Sequence, residues 1–261
     1  MTLSLLFRKR RGRFDIETLE ASTATDIIDR MATYGFAIKR GLLDQITAAR
    51  LYENAQRVYL ECDAAGGNHP LMTNRDYNTV KLEALDAPGA PKFASAKAVI
   101  DTLLYDVYER TIGKNWIVSL DESPVFRANA GASHYTVPTR WHQDACVNAY
   151  PTALVWIALS ECGTDAPGVK LACKAVPSRI PTFLDEHAPD KPKERYIARY
   201  LGDVMAAPTF ESGDALFFND LSIHGTHITP DMKRDRTSFK ITGVPRAFAG
   251  QCARTLDPQE L

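Results

Sequence analysis

The residues of this chain best suited to chemistry are a histidine and an aspartate two positions apart and a second histidine much later in the sequence. They are His142 and Asp144 in Trp141-His142-Gln143-Asp144, and the distant partner is His224. In an extended strand, residues two apart point to the same face, so both side chains reach one ion while Gln143 points away. Two imidazoles and a carboxylate form the facial triad that holds Fe(II) and leaves the opposite positions open for a cosubstrate, oxygen and substrate.

The distal ligand is a choice between His224 and His227, which lie close together in the sequence. Gly213-Asp214 predicts a turn, and residues 215–218 predict a buried strand that delivers the chain to the loop holding both histidines. His224 directly precedes a glycine, which lets the backbone approach a ligand closely. We therefore favour His224 as the metal ligand and assign His227 to a supporting or surface position.

An arginine and a serine follow shortly after the distal histidine. Arg236 and Ser238 are two residues apart, so a strand would place both on one face. A guanidinium matches a carboxylate with two parallel hydrogen bonds, and a hydroxyl adds a third. The pair is suited to anchoring the distal carboxylate of a dicarboxylate cosubstrate, and Arg234 is the alternative anchor because this stretch is strongly charged.

Helical periodicity comes first along the chain and short strands come later. Apolar residues recur at helical spacing over residues 26–34, 42–60 and 96–112, and residues 36–38 predict a strand after the first helix. The later strands are predicted over residues 124–128, 152–159, 168–172, 203–206, 215–218 and 237–244. This order favours a mainly β barrel or jelly roll with N-terminal buttressing α-helices.

Two segments lack clear periodicity and are predicted to control access to the site. Residues 61–93 are rich in glycine and proline, and we expect a long surface segment there. Residues 177–201 contain a proline-rich, charged helical excursion. Binding residues concentrate on loops that a rigid scaffold holds, so both segments are candidate lids and specificity elements.

The composition is that of an ordinary globular protein. The 261 residues are 45% hydrophobic and 24% charged, with a formal net charge of −1. Barrels of this size are commonly one domain, so residues 1–261 are predicted to form a single domain preceded by a flexible basic tail at residues 1–14. The charge balance gives no indication of nucleic acid or an anionic membrane as a partner.

The cysteines and the apolar runs predict a cytoplasmic protein. Five cysteines without CxxC spacing are typical of free thiols in a reducing compartment and argue against a structural zinc site. No apolar run has the length that a bilayer crossing needs. The first seven residues are too short for a signal-peptide core, and the basic residues follow them.

Several motifs, in this order, resemble the phytanoyl-CoA dioxygenase family of Fe(II)/2-oxoglutarate-dependent oxygenases. Residues 34–41 (YGFAIKRG) resemble the family's opening strand, and residues 141–144 (WHQD) are similar to its iron motif. Residues 161–168 (ECGTDAPG) resemble the turn toward its Pro-Gly-Ser-His segment. Residues 213–218 (GDALFF) followed by His224-Gly225 resemble the strand and loop of its distal histidine.

The resemblance implies a double-stranded β-helix, also described as a cupin-like jelly roll, that uses Fe(II), 2-oxoglutarate and O2. It implies His142, Asp144 and His224 as metal ligands. For the cosubstrate, it implies Arg236 on the C5 carboxylate, with Thr226 and Ser238 assisting and Trp156 nearby.

The chain also departs from the family's pattern in two places. The spacing from His224 to Arg236 is one residue longer than usual, which keeps Arg234 in consideration. Residues 175–179 lack the Gly and His of the Pro-Gly-Ser-His segment, which indicates a divergent subgroup. Related halogenases replace the metal-binding aspartate with a small residue; Asp144 is present, which favours hydroxylation or another oxygen-dependent outcome.

The substrate is predicted only as a small molecule. Arg127 and Asn129 lie on a strand approaching the metal, and Arg140 sits beside His142. These residues are candidate contacts to a carboxylate or phosphate, so the substrate could be anionic. The oligomeric state is not predicted.

Two other functional classes fit part of the pattern. One is a non-catalytic jelly-roll binding protein, which has no need of the full His/Asp/His/Arg set. The other is a metal-dependent hydrolase or isomerase with the same ligands and no 2-oxoglutarate. Arg236 discriminates between them and an oxygenase, because a carboxylate-bearing cosubstrate needs it.

Overall fold

The fold is known here from a computed structural model. It describes residues 14–74, 78–129, 141–146, 150–180 and 204–259. The basic cluster at residues 8–13, the candidate substrate residue Arg140 and the helical excursion expected at residues 181–201 lie outside the described residues.

Four α-helices occur in the first half of the chain, and their ends follow local sequence signals. Thr23 caps the first helix with its side chain and forms a capping box with Asp26. Gly35 ends that helix at a φ of 80°, a left-handed conformation that glycine adopts at little cost. The helices are α1 (Ala24–Tyr34), α2 (Gln45–Ala64), α3 (Ala94–Val99) and α4 (Tyr105–Ile112).

The strands form a large sheet and a small sheet. Within each sheet, all described pairings of neighbouring strands are antiparallel. The strands are β1 (Phe36–Lys39), β2 (Met72–Asn74), β3 (Thr79–Val80), β4 (Trp116–Ser119), β5 (Val125–Ala128), β6 (Ala153–Ala158), β7 (Gly168–Ala172), β8 (Met205–Ala206), β9 (Ala215–Asn219), β10 (His224–His227), β11 (Arg236–Pro245) and β12 (Thr255–Leu256). The large sheet runs β1-β9-β6-β11-β5-β3-β2, with β4 joining β11 to β12, and the small sheet runs β10-β7-β8.

The large sheet has an outer and an inner face, each covered by a separate hydrophobic cluster. Val155, Phe217 and Ile241 point outward into the cluster that the helices complete. On this side the Tyr108 hydroxyl of α4 donates to the Ile241 carbonyl at 2.7 Å. The alternate residues, such as Trp156, point inward and pack against β7 of the small sheet. The interior between the two sheets is therefore where an enclosed site can form.

This architecture confirms the predicted fold class, a mainly β cupin-like jelly roll with helices packed on the outside of one sheet. Among the described residues, no helix combines the length and apolar composition that a bilayer crossing needs. The assignment of residues 1–261 to a single domain stays a prediction.

The expectation of a surface segment over residues 61–93 is wrong for residues 78–86, which are largely buried, whereas residues 87–92 are exposed. Strands β2 and β3 extend the edge of the large sheet next to β5. Val80, at the end of β3, is fully buried. Leu82 and Leu85 are almost completely buried, because a short 3-10 helix at Leu82–Leu85 packs against α2. Strands of two or three residues are too short to show a periodic pattern, which is why the sequence did not reveal them.

The single helix predicted over residues 96–112 is interrupted. A π-type segment at Ile100–Leu104 separates α3 from α4, and Thr102 has a non-helical ψ of −167°. The apolar residues on either side still reach the same core, so tertiary packing tolerates the break.

Candidate metal centre

The side chains of His142, Asp144 and His224 converge between the two sheets. Their potential ligand atoms all lie within 4.8 Å of one another. The Asp144 Oδ1 atom is 3.2 Å from His142 Nε2 and 3.8 Å from His224 Nε2. Two ligands at right angles and about 2.1 Å from one ion are about 3 Å apart. The separation between Asp144 and His142 matches this value and that between Asp144 and His224 is longer, so the three side chains converge on a position that one metal ion could share.

Backbone pairing sets the positions of the two histidines. His142 and His224 form an isolated antiparallel bridge, and each donates its N–H to the other's carbonyl, at 2.9 and 3.0 Å. Asp144 begins a short 3-10 turn, which the Ala145 N–H fastens to the Asp220 carbonyl at 2.8 Å. The sequence predicted one extended strand through His142 and Asp144; the chain instead turns at Asp144. The loop expected for His224 is also wrong, since this residue opens strand β10 and pairs with β7.

The His224 ring is held with one nitrogen ready for a metal. Its Nδ1 lies 3.0 Å from the Ser222 carbonyl, which can only accept, so Nδ1 carries the proton and Nε2 presents a lone pair. Burial, and then the neighbouring His142, lower the pKa of His224 to about 4, which keeps the ring neutral at physiological pH. His227 is two strand positions past Gly225 and half-buried, outside the converging group.

The Asp144 carboxylate is buried and paired with a lysine. Lys240 Nζ lies 3.2 Å from Asp144 Oδ2. Burial alone would raise the pKa of Asp144, but the Lys240 ammonium and the two histidines more than offset it, so the pKa lies well below its usual range. A carboxylate that stays ionised in a buried site is the form that binds a cation.

Lys240 is a site residue that the sequence reasoning missed. It continues the series Arg236, Ser238, Lys240 along β11, in which every second residue points to the same face. Register confirms the direction, because Ser238 pairs with Ala158 and Lys240 pairs with Trp156, both of which face the interior. The period of two along β11 places Lys240 on the same face as Arg236 and Ser238, and this periodicity is the sequence signal for Lys240.

Arg236 is a buried cation without an acidic partner among the described residues. Only 7% of it is exposed, and its Nη1 donates to the Gly168 carbonyl at 3.0 Å. Its Nε makes no hydrogen bond within the described part of the chain, and neither does the hydroxyl of Ser238. Burial lowers the pKa of Arg236. A buried guanidinium that lacks a carboxylate is costly, which makes this position receptive to an anion.

The two arginines considered as anchors occupy different environments. Arg234 is on the surface, where its guanidinium binds Glu161 at 3.1 Å and Asp165 at 3.0 Å. Arg236 faces the interior and lies 5.4 Å from the centre of the Trp156 ring. The geometry therefore favours Arg236 over Arg234 as the group that meets a ligand inside the barrel.

Trp156 and Thr226 both lie on strands that face the space between the sheets, and their roles toward a cosubstrate stay predictions. Trp156 is on β6, and Phe210 meets its ring edge-on at 5.1 Å. Thr226 is on β10 and pairs with Val169 of β7, so it shares an inward face with His224. Both residues contribute to the walls between the sheets.

Arg127 and Asn129, the predicted substrate contacts, lie apart from the converging ligands. Arg127 forms two hydrogen bonds with Asp63, at 2.7 and 2.8 Å, and lies over the Tyr59 ring. Together with Asn129 it lines a cavity of about 380 Å³ beside α2, β2 and β5. The guanidinium is engaged by a carboxylate of the chain itself, so the structure gives it a packing role, and a substrate role stays a prediction.

Gln143 ties the metal-ligand segment to its surroundings. Its buried amide nitrogen donates to the Leu221 carbonyl at 2.6 Å, and its oxygen accepts from the Ile180 N–H at 2.7 Å. The side chain points away from the three ligands, as predicted, and joins two neighbouring loops. These contacts hold residues 141–146 in place between them.

Gln143→Leu is expected to lower the free energy of unfolding by about 1–3 kcal/mol, because a buried donor and a buried acceptor lose their partner. Urea denaturation of the metal-free protein measures the change. Gln251→Leu, at an exposed position, is the matched control and is expected to have a much smaller effect. Equal denaturation midpoints for the two variants would contradict the role assigned to this amide.

Comparison with solved structures identifies proteins that have a similar fold. No protein-family model matches the sequence, nor does any protein of curated function. The fold is similar to that of SnoN, a non-heme alpha-ketoglutarate-dependent epimerase from nogalamycin biosynthesis, with 14% identity, a TM-score of 0.61 and coverage of 85% of this chain and 80% of SnoN. It is also similar to EctD from S. alaskensis with bound Fe (13% identity, TM-score 0.65, covering 92% and 86%). A third neighbour is the non-heme monooxygenase ThoJ (17% identity, TM-score 0.56, covering 84% and 77%).

The TM-scores show a shared fold. SnoN is described as a non-heme alpha-ketoglutarate-dependent epimerase, ThoJ as a non-heme monooxygenase, and EctD as a protein with bound Fe. None of the names mentions phytanoyl-CoA.

Proposed function

We propose that this protein is an Fe(II)- and 2-oxoglutarate-dependent oxygenase that acts on a small molecule. The observation that carries the proposal is the buried Arg236 guanidinium, unpaired with any carboxylate of the described chain, on the inward face of the strand that also delivers Lys240 to Asp144. A metal-dependent hydrolase or a binding barrel has no use for this cation at this place.

The donor set fits Fe(II). Two imidazole nitrogens and one carboxylate oxygen on a single face are the ligand set of non-haem iron enzymes, and they leave the opposite face open. His142, Asp144 and His224 would hold the ion. Their spacing and the neutral state of His224 support this assignment.

The unpaired polar atoms fit a dicarboxylate. Arg236 Nε and Ser238 Oγ are both buried and without hydrogen bonds in the described part of the chain. One carboxylate of 2-oxoglutarate would satisfy both, while its other end approaches the metal. Trp156 would line the space between them, and Thr226 would assist from the small sheet.

When bound, the iron and 2-oxoglutarate supply an oxidation in which one oxygen atom of O2 enters the substrate C–H bond, the other enters succinate, and CO2 is released. The chain's own residues orient these groups and exclude water from them. Arg236 neutralises the distal carboxylate, and the apolar walls around Trp156 keep the space between the sheets dry. The metal ligands arrive on backbone segments that pairing already holds in place.

The comparisons support the coarse assignment. SnoN was described in complex with Fe3+, alpha-ketoglutarate and nogalamycin RO, so that neighbour binds a small molecule in the same fold. Hydroxylation is the outcome we propose here. Membership of the phytanoyl-CoA dioxygenase family is likewise a proposal, supported by the motifs at residues 141–144 and 213–218.

Anaerobic titration of the protein with Fe(II) and 2-oxoglutarate tests the proposal. The expected result is a visible charge-transfer absorption that needs both components, followed by release of succinate when oxygen is admitted with a panel of small-molecule substrates. His142→Ala is expected to lose the absorption. A full absorption in that variant, or its absence from the wild-type protein, would overturn the assignment.

A further inference from the structure

Lys240 presents its ammonium to the metal-ligand carboxylate, and a cation in this place needs a reason. A positive charge beside a metal ligand repels the metal ion and weakens its binding. The lysine is nevertheless largely buried, with 16% of its side chain exposed, and its Nζ lies 3.2 Å from Asp144 Oδ2. We propose that Lys240 is a positioning residue that keeps Asp144 a monodentate ligand; this inference rests on the metal centre proposed above.

The two oxygens of Asp144 are already assigned to different partners. Oδ1 faces His142 Nε2 at 3.2 Å and His224 Nε2 at 3.8 Å, while Oδ2 faces Lys240 at 3.2 Å. An ion bound beside the two histidines meets Oδ1 first. The hydrogen bond from Lys240 holds Oδ2 back and prevents the carboxylate from chelating the ion through both oxygens.

The backbone of Lys240 is fixed well enough to perform this task. Its N–H donates to the Pro124 carbonyl at 3.0 Å, and its strand β11 is paired with β6 through six consecutive residue pairs. The register opposite Trp156 aims the side chain into the space between the sheets. The ammonium therefore approaches Asp144 from a rigid strand.

Monodentate coordination matters because a facial triad has three remaining positions. A chelating cosubstrate would need two of them, and oxygen would need the third. A carboxylate that bound through both oxygens would occupy one of these positions and compete with the cosubstrate. Lys240 thus lowers the affinity for the metal somewhat and keeps the coordination positions opposite the triad open.

Lys240→Met tests the proposal by removing the charge while keeping most of the side-chain volume. Water proton relaxation of the Mn(II)-loaded protein reports how many exchangeable waters the ion carries, without any cosubstrate. The expected result is about one coordinated water fewer than in the wild type. Mn(II) affinity should be unchanged or tighter, and 2-oxoglutarate affinity should be roughly 10-fold or more weaker.

Lys240→Arg is expected to restore the wild-type water count, because a guanidinium also donates to Oδ2. Lys97→Met removes a surface lysine paired with Asp101 at 3.7 Å and is the control for the charge change. If the methionine variant does not fold, Lys240→Ala repeats the measurement. An unchanged water count, or metal and cosubstrate affinities that fall together, would overturn the positioning role.

The outcomes also separate this inference from the proposed function. If wild-type protein binds Mn(II) but not 2-oxoglutarate, the oxygenase assignment fails, while the difference in water count still decides the role of Lys240. Failure of the wild-type protein to bind Mn(II) would overturn the metal centre and the positioning role together.

Discussion

Alanine at position 224 is expected to weaken Fe(II) binding by more than about 100-fold and to abolish turnover, whereas alanine at position 227 leaves both near their wild-type values. Loss of a supporting residue around a metal already costs about 10- to 100-fold, and loss of a ligand costs more. His224 shares a backbone bridge with His142 and has Nε2 free to coordinate. His227 is on the same strand but outside the converging group.

Anaerobic equilibrium dialysis followed by measurement of bound iron gives the affinities of the two variants. The pair is closely matched, because both changes remove an imidazole from β10. Circular dichroism checks that each variant keeps its sheets. If His227→Ala loses iron while His224→Ala retains it, the assignment of the distal ligand must be reversed.

Arg236→Met is expected to weaken 2-oxoglutarate binding by about 10- to 100-fold while leaving Fe(II) affinity close to wild type. Hydrogen bonds to a charged group contribute about 1.5–3 kcal/mol each, and the variant loses the buried cation that would make them. The free energy of unfolding of the metal-free variant should fall much less than the free energy of 2-oxoglutarate binding does. The change removes a charge whose burial is uncompensated in the described structure.

Arg234→Met is the matched control, because it removes a surface arginine two residues away whose partners are Glu161 and Asp165. Titration of the absorption of the iron complex with 2-oxoglutarate gives the affinities. Weaker cosubstrate binding in Arg234→Met, with none in Arg236→Met, would transfer the anchoring role to the alternative that the sequence left open. A parallel loss of Fe(II) affinity in Arg236→Met would indicate disruption of the whole interior.

Local sequence signals predicted the helices and strands whose conformation depends mainly on their own residues. The apolar spacing over residues 26–34 predicted α1, and the alternation of β11 gave the shared face of Arg236 and Ser238. The triad residues were found because their types are rare together and their chemistry is specific. The fold class followed from helices that precede strands in the chain.

Features that depend on contacts distant in sequence were not predictable. The bond between Lys240 and Asp144 joins residues 96 apart, and no local pattern encodes it. The bridge between His142 and His224 replaced the expected extended strand and loop, because pairing across the two segments determines both conformations. Strands β2 and β3 form only because β5 offers them an edge.

Because His142 and His224 pair through their backbones and also present their rings to the metal, the stability of the fold depends on the metal concentration. The bridge closes the segment at residues 141–146 onto the small sheet, and the same two residues present their rings to the ion. An ion that binds only this closed arrangement adds its binding free energy to the closure, in proportion to the logarithm of its free concentration. Where the ion is scarce, the closure of residues 141–146 onto the small sheet loses that contribution, and the lifetime of the folded protein would then follow metal availability as well as temperature.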